Sequence, residues 1–253
     1  MEASLNGGSC IVIEARDLSK NVQGGTSVRN VRFTVSRGEV VGIIGPRGAG
    51  KSTLLKMLAG FVTPSSGEGV VAGLSTLMDP FRIKNRVGYA AGDCNLPTRP
   101  TPRELLKQRG QLHGVPPLEL EARIEAVVNA FELERFVDLP VATLQPDQQQ
   151  RLNLARALLH DPPALILDEP THSLDLMGSH FVLMSIRAAR DAGKAVLLAT
   201  RSLSDAEFLC DRVLLMHAGA IVDQGTISEV CAHTGARTFT EAVMRQFPLR
   251  TTA

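Results

Sequence analysis

Tryptophan is absent from this chain of 253 residues, tyrosine occurs once, and aromatic residues make up only 4%. A surface that stacks single-stranded nucleic acid needs several aromatic faces, so nucleic acid is not an expected partner. An excess of charge is lacking too. Lys+Arg number 27 against 26 Asp+Glu, a formal net charge of +1, which leaves no electrostatic footprint for nucleic acid or an anionic membrane surface. Cysteine is scarce, and Cys10, Cys94, Cys210 and Cys231 form no C-x-x-C pair. Neither a zinc site nor a disulfide framework is indicated, and isolated thiols of a reducing cytosol are expected. No apolar run approaches the roughly 18–20 residues of a membrane span. Met1-Glu2-Ala3-Ser4 shows no basic region leading into an apolar stretch, so a signal peptide is not expected. Direct membrane insertion is therefore excluded from the reading, and any role in transport must run through a separate membrane partner. His113, His160, His172, His180, His217 and His233 lack metal-ligand spacing and read as surface or packing residues.

What remains is an apolar content of 44% and a length that suits one large α/β domain or two small ones. Residues 1–9 read as a loose polar leader. Segments 11–16 and 29–35 alternate apolar and polar residues, as half-buried antiparallel strands do. Residues 39–44, 164–167, 195–200 and 212–216 are apolar runs suited to strands buried on both faces. Helical patterns run from Lys51 to Ala59, with Gly60 as a stop, and over 103–113, 117–133 and 148–159, while 94–102 carries no regular element. Strands alternating with helices predict a mostly parallel sheet, with the three central helices as an inserted lobe.

Two motifs carry chemistry. Gly45-Pro46-Arg47-Gly48-Ala49-Gly50-Lys51-Ser52 matches G-x-x-x-x-G-K-[ST], and Thr53 continues it into the helix. Glycines let backbone N–H groups turn inward around phosphates where a Cβ would collide, and the following helix N-terminus carries partial positive charge. Lys51 supplies a full charge to the β- and γ-phosphates, and the Ser52 hydroxyl can ligate Mg²⁺. The second motif, Leu165-Ile166-Leu167-Asp168-Glu169-Pro170, sets two acids at the end of a buried strand, where ligands of α/β sheets sit. Beside a phosphate loop, Asp168 is the expected Mg²⁺ holder and Glu169 the group that orients or deprotonates the attacking water.

With these motifs in series, the chain resembles the ATP-binding subunit of ABC transporters. Arg151-Leu152-Asn153-Leu154-Ala155-Arg156-Ala157-Leu158 resembles the family's helix after the signature, Ser173-Leu174-Asp175 its D-loop, and Cys210-Asp211-Arg212-Val213 with Gly219 and Gly225 its C-terminal strands. The stretch from Gly88 to Leu105 and the segment from Thr234 to Phe247 resemble exporter subunits of the sodium-efflux and drug-efflux kind. The resemblance implies an α/β phosphate-loop fold with a mixed, mostly parallel sheet, an antiparallel β subdomain and an inserted helical subdomain at about 94–160. The nucleotide-binding domain is then expected over 11–233, and 234–253 as a C-terminal tail. ATP and Mg²⁺ are the implied cofactors. A transmembrane permease subunit and a second ABC subunit are the implied partners, with the chain peripheral at the cytoplasmic face of the cell membrane.

Four positions depart from the family pattern. Leu144-Gln145-Pro146-Asp147-Gln148 stands where the family has Leu-Ser-Gly-Gly-Gln. Pro146 has no N–H to give a phosphate, and Asp147 brings a negative charge that repels one by roughly 3 kcal/mol at ~5 Å and an effective dielectric of about 20. Arg201 replaces the switch histidine; it can grip a phosphate but cannot shuttle a proton near pH 7. Gly92 aligns with the loop glutamine and Val22 with the adenine-stacking aromatic. Three functions stay open: a working ATPase that powers an exporter, a degenerate subunit that binds ATP and serves as the regulatory half of a heterodimer, and an ABC ATPase outside transport.

Overall fold

The computed structural model describes residues 11–22, 25–93 and 96–247. The leader read at residues 1–9, the thiols of Cys10 and Cys94, and residues 248–253 lie outside them. Strands β1 (Ile11–Val22), β2 (Gly25–Ser36), β4 (Ser66–Val71) and β5 (Leu74–Ser75) form an antiparallel sheet in the order β2-β1-β4-β5. Both β1 and β2 run well past the alternating segments seen in sequence. The reason is local: Asp17 (φ 52°) and Asn30 (φ 44°) are left-handed, and the β1–β2 register shifts between Ala15 and Leu18, which breaks the two-residue period.

A second sheet of six strands has the order β10-β9-β3-β8-β7-β6. It comprises β3 (Val40–Ile44), β6 (Val87–Ala91), β7 (Ala164–Asp168), β8 (Ala195–Thr200), β9 (Arg212–His217) and β10 (Ala220–Gly225). All neighbours are parallel except β10, which runs antiparallel to β9. Every residue of β3, β7 and β8 is buried, as unbroken apolar runs require. This is the expected α/β class, mostly parallel sheet and antiparallel subdomain together.

Helix α1 (Lys51–Leu58) lies between the two sheets and buries Leu54, Leu55, Met57 and Leu58 in one cluster with Ile13, Val31, Val41 and Ile166. After the short α2 (Pro80–Ile83), helices α3 (Pro102–Leu112), α4 (Pro117–Ala130) and α5 (Pro146–Leu158) make the inserted lobe. Leu106, Ile124 and Leu152 of that lobe share a cluster with Leu165, Leu167 and Val196 of the sheet. Helix α4 ends earlier than its apolar pattern because Glu132 (φ 53°) turns left-handed. Helix α5 starts two residues before the sequence suggested: Pro146 takes the first turn, and the Gln148 side chain accepts from the Gln145 N–H at 2.9 Å.

The chain closes with α6 (Leu176–Asp191), α7 (Leu203–Leu209), α8 (Ile227–Thr234) and α9 (Phe239–Gln246). Residues set apart by sequence as a tail thus include α9, and its Phe239, Ala242 and Val243 are buried with Ile44, Val213 and Leu215. Phe239→Ala is expected to cost about 3–5 kcal/mol, read as a lower urea midpoint at unchanged slope.

At the lobe–sheet seam His113 and His160 stack with ring centroids 4.0 Å apart. His113 Nδ1 faces Asn85 Oδ1 at 3.1 Å, and His160 Nε2 faces the Val87 carbonyl at 3.3 Å. Burial, then the Arg109 charge, lowers His113 to about 4; burial, then the neighbouring imidazole, lowers His160 to about 3. Both rings are therefore neutral in the folded state down to those values, whereas the unfolded chain takes up protons below 6.5. The contribution to stability is present above pH 6.5 and is lost as pH falls toward about 4. His113→Gln is expected to make the acid limb of a midpoint-against-pH curve shallower in that window.

Candidate functional site

The C-terminal ends of three adjacent strands build the site. Ile44 of β3 pairs with Thr200 of β8, and Asp168 of β7 pairs with Ala199 of β8. The residues that follow, Gly45, Arg201 and Glu169, therefore leave the sheet side by side at its carboxyl edge. They open into a cleft of about 500 Å³ lined by the loop from Arg47 to Thr53 together with Lys56, Tyr89, Asp168, Glu169 and Arg201.

The loop turns as the motif demands. Gly50 (φ 102°) precedes α1, and a Cβ there would stand 2.1 Å from the Ser27 carbonyl; one on Gly45 would stand 2.1 Å from the Met216 carbonyl. Backbone is thereby held against backbone, and the α1 N-terminus faces the cleft. Lys51 is buried and donates to the carbonyls of Gly45 at 2.6 Å and Pro46 at 3.2 Å, with Glu169 Oε1 at 3.8 Å. Burial holds its ammonium below the usual lysine range, while the Glu169 charge opposes that fall. The Ser27 hydroxyl donates to Thr53 Oγ1 at 3.0 Å, tying the loop's helix to β2.

Burial raises the Asp168 carboxyl above the ordinary range, and a hydrogen bond from Ser52 pulls it back. Its Oδ1 is buried without a hydrogen-bond partner. An acceptor in that state costs free energy unless something fills it, and a Mg²⁺ ion held by Asp168 and Ser52 fits the need. Among the described residues no cluster of three or more His, Cys, Asp or Glu could hold a metal.

Glu169 sits at φ 51°, a left-handed backbone that turns the chain sharply as it leaves β7. Both carboxylate oxygens are engaged: Arg201 Nε donates to Oε1 at 2.9 Å and the Arg201 backbone N–H to Oε2 at 3.1 Å. Each oxygen keeps a second lone pair, so a water can still reach the carboxylate.

The ABC transporter family pattern matches residues 28–172. This chain belongs to the ABC transporter family. It is 34% identical over 205 residues to the ABC transporter ATP-binding protein NatA of Bacillus subtilis (strain 168), covering 81% of this chain and 83% of NatA. It is 35% identical over 215 residues to the Nod factor export ATP-binding protein I of Rhizobium meliloti (strain 1021), covering 85% of this chain but only 64% of that protein. The solved ATP binding subunit of an ABC transporter superposes with a TM-score of 0.86 at 28% identity, covering 93% of this chain and 99% of the other. An ATP-binding cassette solved as a dimer in a post-hydrolysis state with ADP and Pi gives 0.78 at 25% identity, covering 85% and 98%. The chain is an ATP-binding subunit of the ABC family.

Of the residues singled out from sequence, Arg47 to Thr53, Asp168, Glu169 and Arg201 come together in this ABC subunit's cleft, with Gly45 and Pro46 accepting from Lys51 beside it. The signature segment Leu144–Gln148 does not line that cleft. Asp147 there is not a bare charge, since Arg151 Nε stands 3.9 Å from its carboxylate one helical turn on. Gly92 does more than lack a side chain. Its N–H donates to the Asp168 carbonyl at 2.7 Å, and a Cβ would lie 2.1 Å from the Glu169 carbonyl and 3.1 Å from His172 Cβ. A glutamine in that place would displace the strand ends that carry both carboxylates. Val22 is half exposed at the end of β1, and Tyr89 is the one aromatic lining the cleft among the described residues.

Sequence reasoning missed Ser27, Lys56, Tyr89, Asp93 and His172, all of which line the cleft. Tyr89 had a signal, as the single tyrosine in an apolar strand. Its hydroxyl is buried without a partner and is pushed up to about 12 by burial and then by the Asp168 charge. His172 had one also, three residues after Glu169 on the turn leaving β7. Lys51→Ala removes the one buried cation of the loop. It is expected to weaken ATP binding at least about tenfold in titration calorimetry, the scale of a lost charge-assisted contact.

Proposed function

We propose that this ABC subunit hydrolyses ATP to drive an exporter through a separate transmembrane permease, working at the cytoplasmic face of the membrane as one half of an ABC dimer. The observation that carries the reading is the convergence of Lys51, Ser52, Asp168 with its unpartnered buried oxygen, and Glu169 on one cleft. The nucleotide-binding domain over 11–233 and the helical subdomain at about 94–160 belong to the same proposal. Export rests on the resemblance noted in sequence and on the Nod factor export relatives; no helix among the described residues is long and apolar enough to cross a membrane.

In this reading the loop amides from Gly48 to Ser52 and the Lys51 ammonium grip the β- and γ-phosphates. Lys51 leaves the Gly45 carbonyl and gains a full counter-charge, which repays its burial. Asp168 and Ser52 hold Mg²⁺, which when bound neutralises phosphate charge and lowers the electrostatic cost of the transfer. Glu169 takes the proton of the attacking water, or orients that water, from the end of β7. Arg201 supplies a fixed positive charge where the family has an imidazole.

A second reading has support of its own. Arg201 engages both oxygens of Glu169, and the signature segment offers Pro146 and Asp147 where small N–H donors are usual. These features favour slow hydrolysis, with this subunit as the regulatory half of a heterodimer. The relatives named are transport proteins, which leaves a role outside transport with no observation in its favour.

ATP turnover of the purified chain, alone and with its co-purified membrane subunit, separates the readings. Stimulation by the membrane subunit and an about hundredfold loss of kcat in Glu169→Gln are expected. Turnover unaffected by that change rules Glu169 out as the base. No turnover in either state leaves the regulatory reading.

A further inference from the structure

The imidazole missing after β8 has a neighbour that sequence gave no role. His172 sits on the turn after β7 and lines two adjoining hollows, the phosphate cleft and a second space of about 400 Å³ bounded also by Thr171, Ser202 and Asp205. Its Nδ1 lies 3.3 Å from Arg201 Nη2. An arginine can only donate, so Nδ1 accepts, and the ring carries its proton on Nε2. Two constraints fix the backbone and Cβ from which the ring projects. The His172 N–H donates to the Glu169 carbonyl at 3.0 Å, and its Cβ fills the space beside Gly92. The Arg201 guanidinium is thus held at both ends, by the Glu169 carboxylate on one side and the His172 ring on the other.

We propose that His172 is a positioning residue for Arg201, so that the pair together does at the γ-phosphate what a single switch histidine does elsewhere in the family. The proposal rests on the nucleotide-cleft reading above but not on turnover. Arginine is long and keeps rotamer freedom that a histidine lacks. A guanidinium aimed at one phosphate oxygen needs an anchor, and the His172 ring, accepting at Nδ1, provides one. When the γ-phosphate enters, Arg201 exchanges its bond to Glu169 for the phosphate while His172 keeps hold of Nη2. The Glu169 carboxylate is thereby released at the moment its water is in place. ADP lacks that phosphate and leaves the Glu169–Arg201 bond intact.

The test uses the full chain and two probes, a non-hydrolysable Mg-ATP analogue and Mg-ADP, in titration calorimetry. His172→Ala is expected to weaken the analogue about fivefold and ADP less than about twofold, the effect of one hydrogen bond. His172→Gln, whose amide oxygen can accept from Arg201, is expected to restore analogue binding. In an Arg201→Ala background, His172→Ala should change nothing further. Imidazole nitrogen shifts of the nucleotide-free chain give an independent readout: His172 accepts at Nδ1, and its Nδ1 resonance moves when Arg201→Ala removes the donor. Equal losses for both nucleotides, additive losses in the double variant, or imidazole shifts indifferent to Arg201 would each overturn the proposal. A chain that binds both nucleotides as described but never hydrolyses overturns only the turnover reading, whereas one that binds neither overturns both.

Discussion

Asp168 and Glu169 share one cleft, and the structure around residue 50 sets positive charge against them. Asp168 and Glu169 face the same space as Lys51, Lys56 and Arg201. A pair of unit charges about 4 Å apart is worth about 4 kcal/mol at an effective dielectric of about 20, and Lys51 stands 3.8 Å from Glu169. The loop amides and the α1 N-terminus add partial charge that no solvent has to reorganise. Lys51 waits on a carbonyl and a carboxylate, and Asp168 on one unfilled oxygen. Each is partly satisfied in a way that a magnesium–triphosphate pair would complete.

The sheet is what keeps those charges in register. Parallel strands β3, β8 and β7 end within one residue of one another, since Ile44 pairs with Thr200 and Asp168 with Ala199. Their side chains are wholly buried between α1 on one face and the lobe with α6 on the other. A one-residue slip would turn core residues of these strands toward the opposite layer and move a carboxylate out of the cleft. Stability of the core and placement of Asp168 and Glu169 are thus the same constraint seen at two ends of a strand.

How much of this could be read from residue order follows from how local each signal is. The apolar runs at β3, β7, β8 and β9 and the glycine loop are contiguous, and each landed within a residue or so of its element. Strand β6 escaped notice because Val87-Gly88-Tyr89-Ala90-Ala91 is short and carries one glycine and two alanines, which give no strong apolar run. Helix α6 carries Val182, Ile186 and Ala189 on one face, yet it begins with Leu176 and Met177, which are exposed and blur the period. The site was legible where one motif holds several groups, at 45–52 and 168–169. Tyr89 and Gly92 stand near each other at and just past the end of β6, but that His172 joins them is set only when β6 pairs with β7.

The departures from the family pattern also divide by place, and their charges point in opposite directions. Gly92, His172 and Arg201 surround Glu169 and fit one another: the missing Cβ at 92 is the room that the Glu169 carbonyl and His172 occupy. Replacing an imidazole by Arg201 adds a permanent positive charge to this chain's own cleft. Pro146 and Asp147 lie elsewhere, on the lobe, and in the dimer proposed above they would face the partner's nucleotide. There Asp147 shares the Arg151 counter-charge, 3.9 Å away, with Glu132, so the three together keep a net negative charge toward a phosphate. The chain therefore strengthens its grip in cis while weakening what it offers in trans. In the heterodimer reading proposed above, two copies would carry that weakness at both sites, whereas pairing with a subunit that keeps an intact signature would leave this chain's cleft the better closed of the two.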